Sequence, residues 1–526
     1  MVHQSGLTVL LQVQPRIPFN QVATYSPPLA IGTTIMRPST TLEATATIGR
    51  LQPTAQTTGV TSTSTLVAGT GTTTTALTVT LFGRWPKHLQ ADEGLPFSFF
   101  ASMLITNEQI REDLYQGYFD ARKNKRNTLA QLNFEIFMEH ELENLYFSLV
   151  KRTYKPLPAF CFITFDPVQR EVFASQFRDR VIHHMLYNYL APLFETLFIY
   201  DTYSCRLGMG TLFGVERYQH HLRSVTNNFT EEAHVLYIDL SGYFMSIDKK
   251  LLMNTILKEV WKHLDRKSPD GRLWEERIDP IWIEYLLHCV LDHEPAKDCI
   301  RVGAPTNWNG LPHNKSLQYS PEGYGIVIGD ITSQLFSNIV LNIYDQFVKR
   351  TLKIKHYGHY VDDMYHMDKS RSFLLEKIPQ IQEFLQNDVH VHVHPNKIRL
   401  LSAYDANQYL GAYVRPYYIV PRQRTINKFS KVMNQLEYRL VVGDPPTIDE
   451  LYHIRAQINS YCGLLIHYKS FNLRRKYLDR PAFYKYFIFD KGFSKVILRP
   501  EYGGKIPIDN WYLNRDIPAE VPTSYL

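Results

Sequence analysis

The 526-residue sequence has few cysteines and no long apolar run. The five cysteines are scattered and form no C-x-x-C pair, which argues against a disulfide framework or a zinc site and for a reducing, cytoplasmic compartment. No apolar run approaches the length of a membrane span, and the N-terminus lacks the basic and apolar regions of a secretory signal. The sequence therefore predicts a protein that has no membrane partner.

Charge is missing from residues 51–83, which include the threonine-rich text TSTSTLVAGTGTTTTALTVTLFG. Low-complexity text of this kind, without turn-bounded alternation, favours a disordered or weakly ordered extension. Two alternatives stay open: Met103 is the natural start of the protein, or the segment folds as a β module. The first predicted region is therefore residues 1–105, a Thr-rich, low-charge N-terminal extension.

Aromatic and apolar residues are abundant, at 13% and 44% of the chain, which is enough for a large core and two to four domains. The formal net charge of +6 is compatible with a polyanionic partner but does not prove one. Helical periodicity begins after Thr106. The two predicted apolar faces are formed by Ile110, Leu114 and Tyr118 and by Leu142, Leu145 and Leu149.

Strand and helix signals alternate further along the chain. The segments AFCFITF (159–165) and VLYIDLSGYF (235–244) are typical of buried strands, and HVHVHP (390–395) alternates as a strand does. The segment TSQLFSNIVLNIYDQFVKRTL (332–352) predicts a long helix. After Pro421 the chain is basic and helical in pattern.

Two adjacent acids, Asp362 and Asp363, interrupt a strand-like stretch, GHYVDDM (358–364). Adjacent carboxylates repel, and burial of either one without compensation is costly. Asp239 follows a wholly apolar strand, so two strand ends would bring three carboxylates together, although each acid taken singly fits an ordinary turn. Such oxygen ligands suit two Mg²⁺ ions, with Mn²⁺ as the alternative, and two ions would stabilise both the attacking and the leaving oxygens of phosphoryl transfer.

The order of these motifs resembles that of reverse transcriptases, and the resemblance covers roughly residues 106–480. Residues 169–211 resemble the fingers of bacterial members, except that GMG (208–210) stands where related fingers read GKG. The segments similar to palm motifs A to E are, in order, the Asp239 strand, GIVIGDITSQLFSN (325–338), YVDD (360–363), HPNK (394–397) and QYLGAYVRP (408–416).

The resemblance implies an α/β (α+β) right-hand polymerase, with fingers and palm at 106–420 and a helical, basic thumb and C-terminal tail at 421–526. The implied activity is RNA-directed DNA synthesis from deoxynucleotides on a noncoding RNA template, with a homo-oligomer or an accessory protein as further partners. The form IGxxxSQ is similar to enzymes of diversity-generating retroelements and of the bacterial unknown group, which includes antiphage defence enzymes. Defence is the first expectation and diversification the second; an RNA-dependent RNA polymerase and a non-catalytic RNA-binding scaffold are the alternatives.

Roles for single residues follow from the same resemblance. The expected catalytic residues and metal ligands are Asp239, Asp362 and Asp363, with the carbonyl of Leu240 as a further ligand. The expected nucleotide-binding residues are Arg170, Phe244 as the sugar gate, Gly329, Gln334 and Lys397. The expected nucleic-acid-binding residues are Leu410, Gly411, Lys469, Arg474 and Arg475. Asp248 is expected to cap a helix, and His183 and His184 to be structural.

Overall fold

The computed structural model describes residues 105–123, 128–165, 168–405 and 408–504, together with the backbone of two strands. These strands, β1 (Thr63–Ala68) and β2 (Thr75–Thr80), pair antiparallel. The chain divides between Phe99 and Phe100, so this hairpin belongs to the first unit. The rest of the predicted N-terminal extension, up to residue 104, lies outside the described residues.

The second unit begins with helices and a small sheet and continues into a larger sheet. Its elements up to residue 346 are α1 (Asn107–Arg122), α2 (Leu129–Ile136), α3 (Met138–Val150), β3 (Phe160–Thr164), β4 (Arg170–Ala174), α4 (Phe177–Leu197), α5 (Thr211–Val225), β5 (His234–Ile238), α6 (Tyr243–Ser246), α7 (Lys249–His263), α8 (Pro280–Leu291), α9 (Pro295–Asp298), β6 (Ile300–Arg301) and α10 (Ile331–Gln346).

The remaining elements complete the larger sheet and form a mainly helical C-terminal module. They are β7 (His356–Tyr360), β8 (Asp363–Asp368), α11 (Arg371–Asn387), β9 (Arg399–Ser402), β10 (Gln408–Tyr409), β11 (Ala412–Val414), β12 (Ile419–Pro421), α12 (Gln423–Val441), α13 (Ile448–Leu465), α14 (Phe471–Leu478), α15 (Pro481–Tyr484), β13 (Phe487–Phe489) and β14 (Val496–Leu498).

The central sheet is antiparallel and has the strand order β7-β8-β5-β9. Successive side chains of a strand point to opposite faces. Val235, Tyr237 and Tyr365 accordingly pack in one buried cluster with α5, whereas His366, the next residue of β8, contacts Tyr344 of α10. Both faces of the sheet are therefore covered, and its strand ends are the places where polar groups reach solvent.

Two smaller sheets extend this arrangement. The β4-β3-β6 sheet pairs β3 antiparallel to β4 and parallel to β6, and the backbone N–H of Phe173 in β4 donates to the carbonyl of Ile328, 3.0 Å away. The β10-β11-β12 sheet leads directly into α12. The C-terminal module has its own core, in which Phe429, Ile458 and Phe487 are buried.

The predicted mixed α+β class with antiparallel sheets is confirmed. The two apolar faces predicted after Thr106 are buried. The prediction of a strand at HVHVHP is wrong, because the segment makes a single bridge, from Val393 to Leu240, and His390 has a φ of +60° that interrupts extended backbone. None of the described helices is long and apolar enough to cross a membrane.

Candidate active site

The three predicted acids meet at one end of the central sheet. Ile238 pairs with Met364 across β5 and β8, so the next position in register places Asp239 opposite Asp363. Asp362 lies in the two-residue turn that joins β7 to β8. We call this turn, Val361 and Asp362, the catalytic turn, after the role that the sequence predicts for Asp362. Antiparallel pairing thus brings together carboxylates that lie more than a hundred residues apart in the chain.

Negative charge accumulates where these residues meet. Burial and the neighbouring carboxylates of Asp363 and Asp239 raise the pKa of Asp362 to about 6. Burial and Asp239 also raise the pKa of Asp363. Lys397 compensates part of this charge, because its Nζ lies 2.8 and 2.9 Å from the two carboxylate oxygens of Asp239. The raised pKa values indicate that the remaining charge is uncompensated by the protein.

The donor set suits a hard divalent cation. Among the residues that the structure describes, no three His, Cys, Asp or Glu side chains form a ready-made metal cluster. Carboxylate oxygens are nevertheless the ligands that Mg²⁺ prefers, and a cation would relieve the repulsion that raises the pKa of Asp362. The N–H of His394 donates to the backbone carbonyl of Asp239, and the N–H of Ser241 donates to the carbonyl of His392, each at 2.8 Å. These two bonds lie on either side of Leu240 and do not use its carbonyl.

Two aromatic residues that follow Asp239 have different environments. Tyr243 is 3% exposed, and its hydroxyl donates to the backbone carbonyl of Ser337 at 2.6 Å. Phe244 is half-buried and packs on a cluster that contains Phe173. A ring that is to touch a substrate needs an accessible edge, so Phe244 remains the better candidate for the sugar gate.

The segment that resembles motif B contacts the small sheet closely. Gly329 has a φ of +151°, and a Cβ at this position would collide with the carbonyl of Phe173. A residue with a side chain would therefore break the contact between this segment and β4. Gln334 is exposed in the first turn of α10, where its amide is available to a ligand.

Arg170 begins β4 and is exposed, as a residue that contacts a triphosphate should be. Its neighbour Glu171 is buried and accepts hydrogen bonds from Trp308 Nε1 at 2.9 Å, Ser316 Oγ at 3.0 Å and Leu317 N–H at 2.8 Å. This carboxylate fixes a loop to the small sheet over a separation of more than a hundred residues.

The same loop reaches the Asp239 strand end. Asn314 Nδ2 donates to Ser241 Oγ at 3.2 Å, and the carbonyl of Asn314 occupies the space that a Cβ of Gly242 would need. The sequence showed this loop only as the segment LPHNKSL (311–317), with no indication of its contact. Glycine directly after the Asp-Leu-Ser run was the available signal that another backbone approaches there.

Leu410 and Gly411 form the turn between β10 and β11, which we call the primer-grip turn. Their φ angles of +44° and +83° are those of a two-residue hairpin turn with both central residues left-handed. Tyr409, one residue earlier, is buried, stacks on Tyr218 with 4.8 Å between ring centroids, and donates its hydroxyl to the carbonyl of Asp363 at 3.3 Å. The primer-grip turn is therefore attached to the acid site.

The predicted basic residues of the C-terminal module divide into two kinds. Lys469 places its Nζ 4.4 Å from the ring centroid of Tyr418, and Arg475 has an exposed side chain. The prediction that Arg474 binds nucleic acid is wrong, because Arg474 is 7% exposed and donates to the carbonyl of Phe493 at 2.9 Å. Adjacent residues of a helix point in different directions, and Arg474 points into the core.

The sequence analysis did not identify two arginines that act on the charge of the acid site. Arg399 and Arg422 both lower the pKa of Asp363, against the larger effects of burial and Asp239. Arg399 pairs with Tyr237 in the β5–β9 ladder, two residues after Lys397. Spacing along the chain gave no signal for this, because Lys397 ends a 3₁₀ turn (Pro395–Lys397) and only Arg399 lies in the strand β9.

The residues expected to be structural are in structural contacts. Asp248 caps α7, because its carboxylate accepts from the N–H groups of Lys250 and Leu251 at 2.8 and 3.0 Å. His183 lies 2.7 Å from the hydroxyl of Thr332. Burial lowers the pKa of His184.

Comparison with known proteins finds similar folds but no family. No family model and no curated protein matches the chain. Among solved structures, telomerase from Candida albicans in complex with a TWJ fragment of telomeric RNA is 9% identical with a TM-score of 0.35, over 62% of this chain and 58% of that chain. Apo telomerase from Candida tropicalis, truncated from the C-terminal domain, is 12% identical with a TM-score of 0.32, over 51% and 54%.

The Candida tropicalis telomerase in complex with a TWJ fragment of telomeric RNA is 9% identical with a TM-score of 0.33, over 64% of this chain and 58% of that chain. The chain thus spans just over half the length of each of these structures. Similarity at this level does not bear on function, which we infer below from the site itself.

Proposed function

We propose that the chain is an RNA-directed DNA polymerase, which adds deoxynucleotides to a 3′ hydroxyl under the direction of an RNA template. The observation that carries this proposal is the meeting of Asp239, Asp362 and Asp363 at one end of the central sheet. The order of the surrounding motifs, which resembles that of reverse transcriptases, supports it.

Two Mg²⁺ ions fit the charge of this site. Asp239, Asp362, Asp363 and the carbonyl of Leu240 would hold them. When bound, the ions would stabilise the charge that develops on the attacking and leaving oxygens of phosphoryl transfer. The raised pKa of Asp362, which burial and the neighbouring acids cause, supports this assignment, because a bound cation would offset the cost of holding these negative charges there.

The other residues of the site would bind and orient the nucleotide. Phe244 would lie under the ribose and take the space that a 2′ hydroxyl needs. Arg170, which is exposed at the start of β4, would contact the triphosphate. Lys397, whose ammonium already lies among the acids, would hold a phosphate or give a proton to the leaving pyrophosphate.

The nucleic acid would lie along the primer-grip turn and the C-terminal module. Leu410 and Gly411 would support the primer end, because Tyr409 attaches their turn to Asp363. Lys469 and Arg475 would contact phosphates, which adds salt-dependent affinity without sequence choice.

The direct test of this activity is extension of a primed RNA template by the purified protein with Mg²⁺. We expect extension with deoxynucleotides and much less with ribonucleotides. A protein that prefers ribonucleotides would be an RNA polymerase. A folded protein that binds RNA but extends no primer with either set of nucleotides would instead be a non-catalytic scaffold.

For the biological role we propose synthesis on a dedicated noncoding RNA in bacterial antiphage defence. This rests on the resemblance of the IGxxxSQ motif and the LPHNKSL loop to the bacterial set. Sequencing of the RNA and DNA that co-purify with the protein tests it. One abundant small RNA with complementary DNA supports the proposal, whereas mutagenised copies of a protein-coding repeat would indicate a diversity-generating retroelement.

A further inference from the structure

The catalytic turn contains a backbone conformation that its residue does not favour. Val361 has a φ of +54°, in the left-handed region. This region is unfavourable for side chains branched at Cβ, and residues held there cluster at functional sites. Because Val361 immediately precedes Asp362, whatever holds Val361 also sets the position of that carboxylate.

Two buried side chains hold Val361 by its backbone. Its N–H donates to Ser204 Oγ at 3.2 Å, and its carbonyl oxygen lies 3.0 Å from Nδ1 of His359. Ser204 in turn donates to Asn338 Oδ1 at 2.9 Å, and Asn338 Nδ2 donates to the Ser204 carbonyl at 2.8 Å. Ser204, His359 and Asn338 are each at most 1% exposed, so the side chains that hold Val361 are themselves fixed within the core.

The second ring nitrogen of His359 is held by an acid of the long helix. Nε2 of His359 lies 3.1 Å from Oδ2 of Asp345, and both residues are fully buried. Asp345 also accepts from the hydroxyls of Tyr357 at 2.6 Å and Thr202 at 3.0 Å. Asp345 lies in α10, so the ring joins this helix to the catalytic turn.

The partners of His359 determine its protonation. The Val361 carbonyl only accepts hydrogen bonds, so Nδ1 donates to it, whereas Nε2 faces both the Asp345 carboxylate and the hydroxyl of Thr202, 3.3 Å away. Although burial opposes a positive charge, Asp345 and the Val361 carbonyl raise the pKa of His359. Both ring nitrogens are therefore held, Nδ1 by the catalytic turn and Nε2 by the acid of α10.

We propose that His359 is a positioning residue, which, with Asp345 and Ser204, holds Val361 in its left-handed conformation and so presents Asp362 to the reacting groups. The effect of His359 on catalysis rests on the proposed function. The restraint of the turn by His359 does not. His359 touches no substrate; it acts through the backbone of Val361.

The test compares His359→Asn with the matched control His366→Asn. His366 is also fully buried in this sheet, but its ring contacts the hydroxyl of Tyr344 at 2.8 Å and not the catalytic turn. The backbone bonds of His359 do not depend on its ring. Its N–H donates to the carbonyl of Asp201, and its carbonyl accepts from the N–H of Tyr203. Asp345 keeps the two hydroxyl groups as donors in the variant.

Two measurements are made on each variant. The first is hydrogen exchange of the Val361 amide, read in the full-length protein, which reports the order of the turn without any reaction. The second is kcat and KM for a deoxynucleotide on a primed RNA template. For His359→Asn we expect faster exchange and a kcat about 10- to 100-fold lower, with an unchanged KM. For His366→Asn we expect both values to stay near those of the wild type.

The outcomes separate the two proposals. A wild type that extends no primer overturns the proposed function, and the exchange data then decide whether His359 restrains the turn. Val361 exchange in His359→Asn that matches the wild type overturns the restraint. Faster exchange with an unchanged kcat overturns the positioning role alone, as does an equal loss of kcat in both histidine variants.

A milder variant keeps the test valid if His359→Asn does not fold. Ser204→Ala removes one hydroxyl, and with it the acceptor for the Val361 N–H, while the partners of Asp345 stay in place. We expect a smaller loss of kcat in the same direction and faster exchange of the Val361 amide. Wild-type exchange and kcat in Ser204→Ala would contradict the proposal.

Discussion

The catalytic turn and the primer-grip turn are both two-residue connections between antiparallel strands, but their left-handed residues are stabilised in different ways. The primer-grip turn has two left-handed residues, Leu410 at a φ of +44° and Gly411 at +83°, and the glycine adopts this conformation without strain. The catalytic turn has valine at +54° and no glycine, and its backbone is held by two buried side chains, His359 of the same hairpin and Ser204 from outside it. The comparison teaches that the left-handed residue next to a candidate reacting group, Val361, is the one that buried side chains hold by its backbone.

The largest expected difference between the two turns is in the pH dependence of stability. The folded-state pKa of Asp362 is raised to about 6, so its ionisation favours the unfolded chain, and its contribution to stability is lost as the pH rises from about 4 through 6. Asp362→Asn should therefore leave the free energy of unfolding unchanged at pH 4 and raise it by up to about 3 kcal/mol at pH 7.

Urea unfolding without divalent cations, at both pH values, measures this effect. Gly411→Ala in the primer-grip turn serves as the control, because its cost should not depend on pH. An Asp362→Asn variant whose gain is the same at pH 4 and pH 7 would show that neither burial nor the neighbouring acids raise the pKa of Asp362 in the folded state.

A second comparison is between two adjacent aromatic residues, Phe244 and Tyr243, in their effect on the choice between deoxynucleotides and ribonucleotides. Phe244→Val should open space for a 2′ hydroxyl and lower the preference for deoxynucleotides by about tenfold, the effect of a small change in a steric pocket. Tyr243→Phe removes only the hydrogen bond to Ser337 and should keep the preference. The measurement is the ratio of kcat/KM for dNTP and rNTP on one primed RNA template. A ratio that moves in the Tyr243 variant and not in the Phe244 variant would place the gate elsewhere.

Single substitutions in the two turns test whether the backbone of Val361 is strained. Gly411→Ala forces a side chain into the left-handed region and should lower the free energy of unfolding by about 1 kcal/mol. Val361→Gly relieves the strain but makes the unfolded chain more flexible, so the net change should stay within about 0.5 kcal/mol. Chemical denaturation at pH 7 compares the two. A Val361→Gly variant that loses as much stability as Gly411→Ala would mean that Val361 is not strained.

The smallest expected effect concerns two neighbouring arginines of α14. Arg475→Ala should reduce the steepness with which RNA binding weakens as salt is added, by about one phosphate contact. Arg474→Ala should leave that slope unchanged and destabilise the C-terminal module instead, because Arg474 is buried against Phe493. Binding of a fluorescent RNA–DNA hybrid at several salt concentrations measures the slope. Equal slopes in both variants would remove Arg475 from the interface.

Local patterns in the sequence predicted the features that depend on neighbouring residues, namely the buried faces of helices and the positions of strands. Apolar spacing located the buried faces of α1 and α3, and strand signals located β5 and the β7–β8 hairpin, which placed Asp239, Asp362 and Asp363 at strand ends. The alternation of HVHVHP was misleading, because the left-handed His390 prevents a regular strand.

What the sequence could not reveal depends on contacts between distant segments. The clamp on Val361 joins Ser204, Asn338 and His359, none of which forms a motif with the others. The burial of Arg474 likewise depends on Phe493, which lies in a hairpin that no pattern predicted. Such pairings are set by packing, and spacing along the chain carries no signal for them.

The most direct test of the acid site is primer extension by Asp362→Asn combined with Asp363→Asn. On a primed RNA template with Mg²⁺ and deoxynucleotides, the wild type should extend the primer. The double variant should extend none, while its free energy of unfolding equals or exceeds that of the wild type, because the substitution removes mutual repulsion. Undiminished extension by the pure double variant would contradict the assignment of these acids to catalysis.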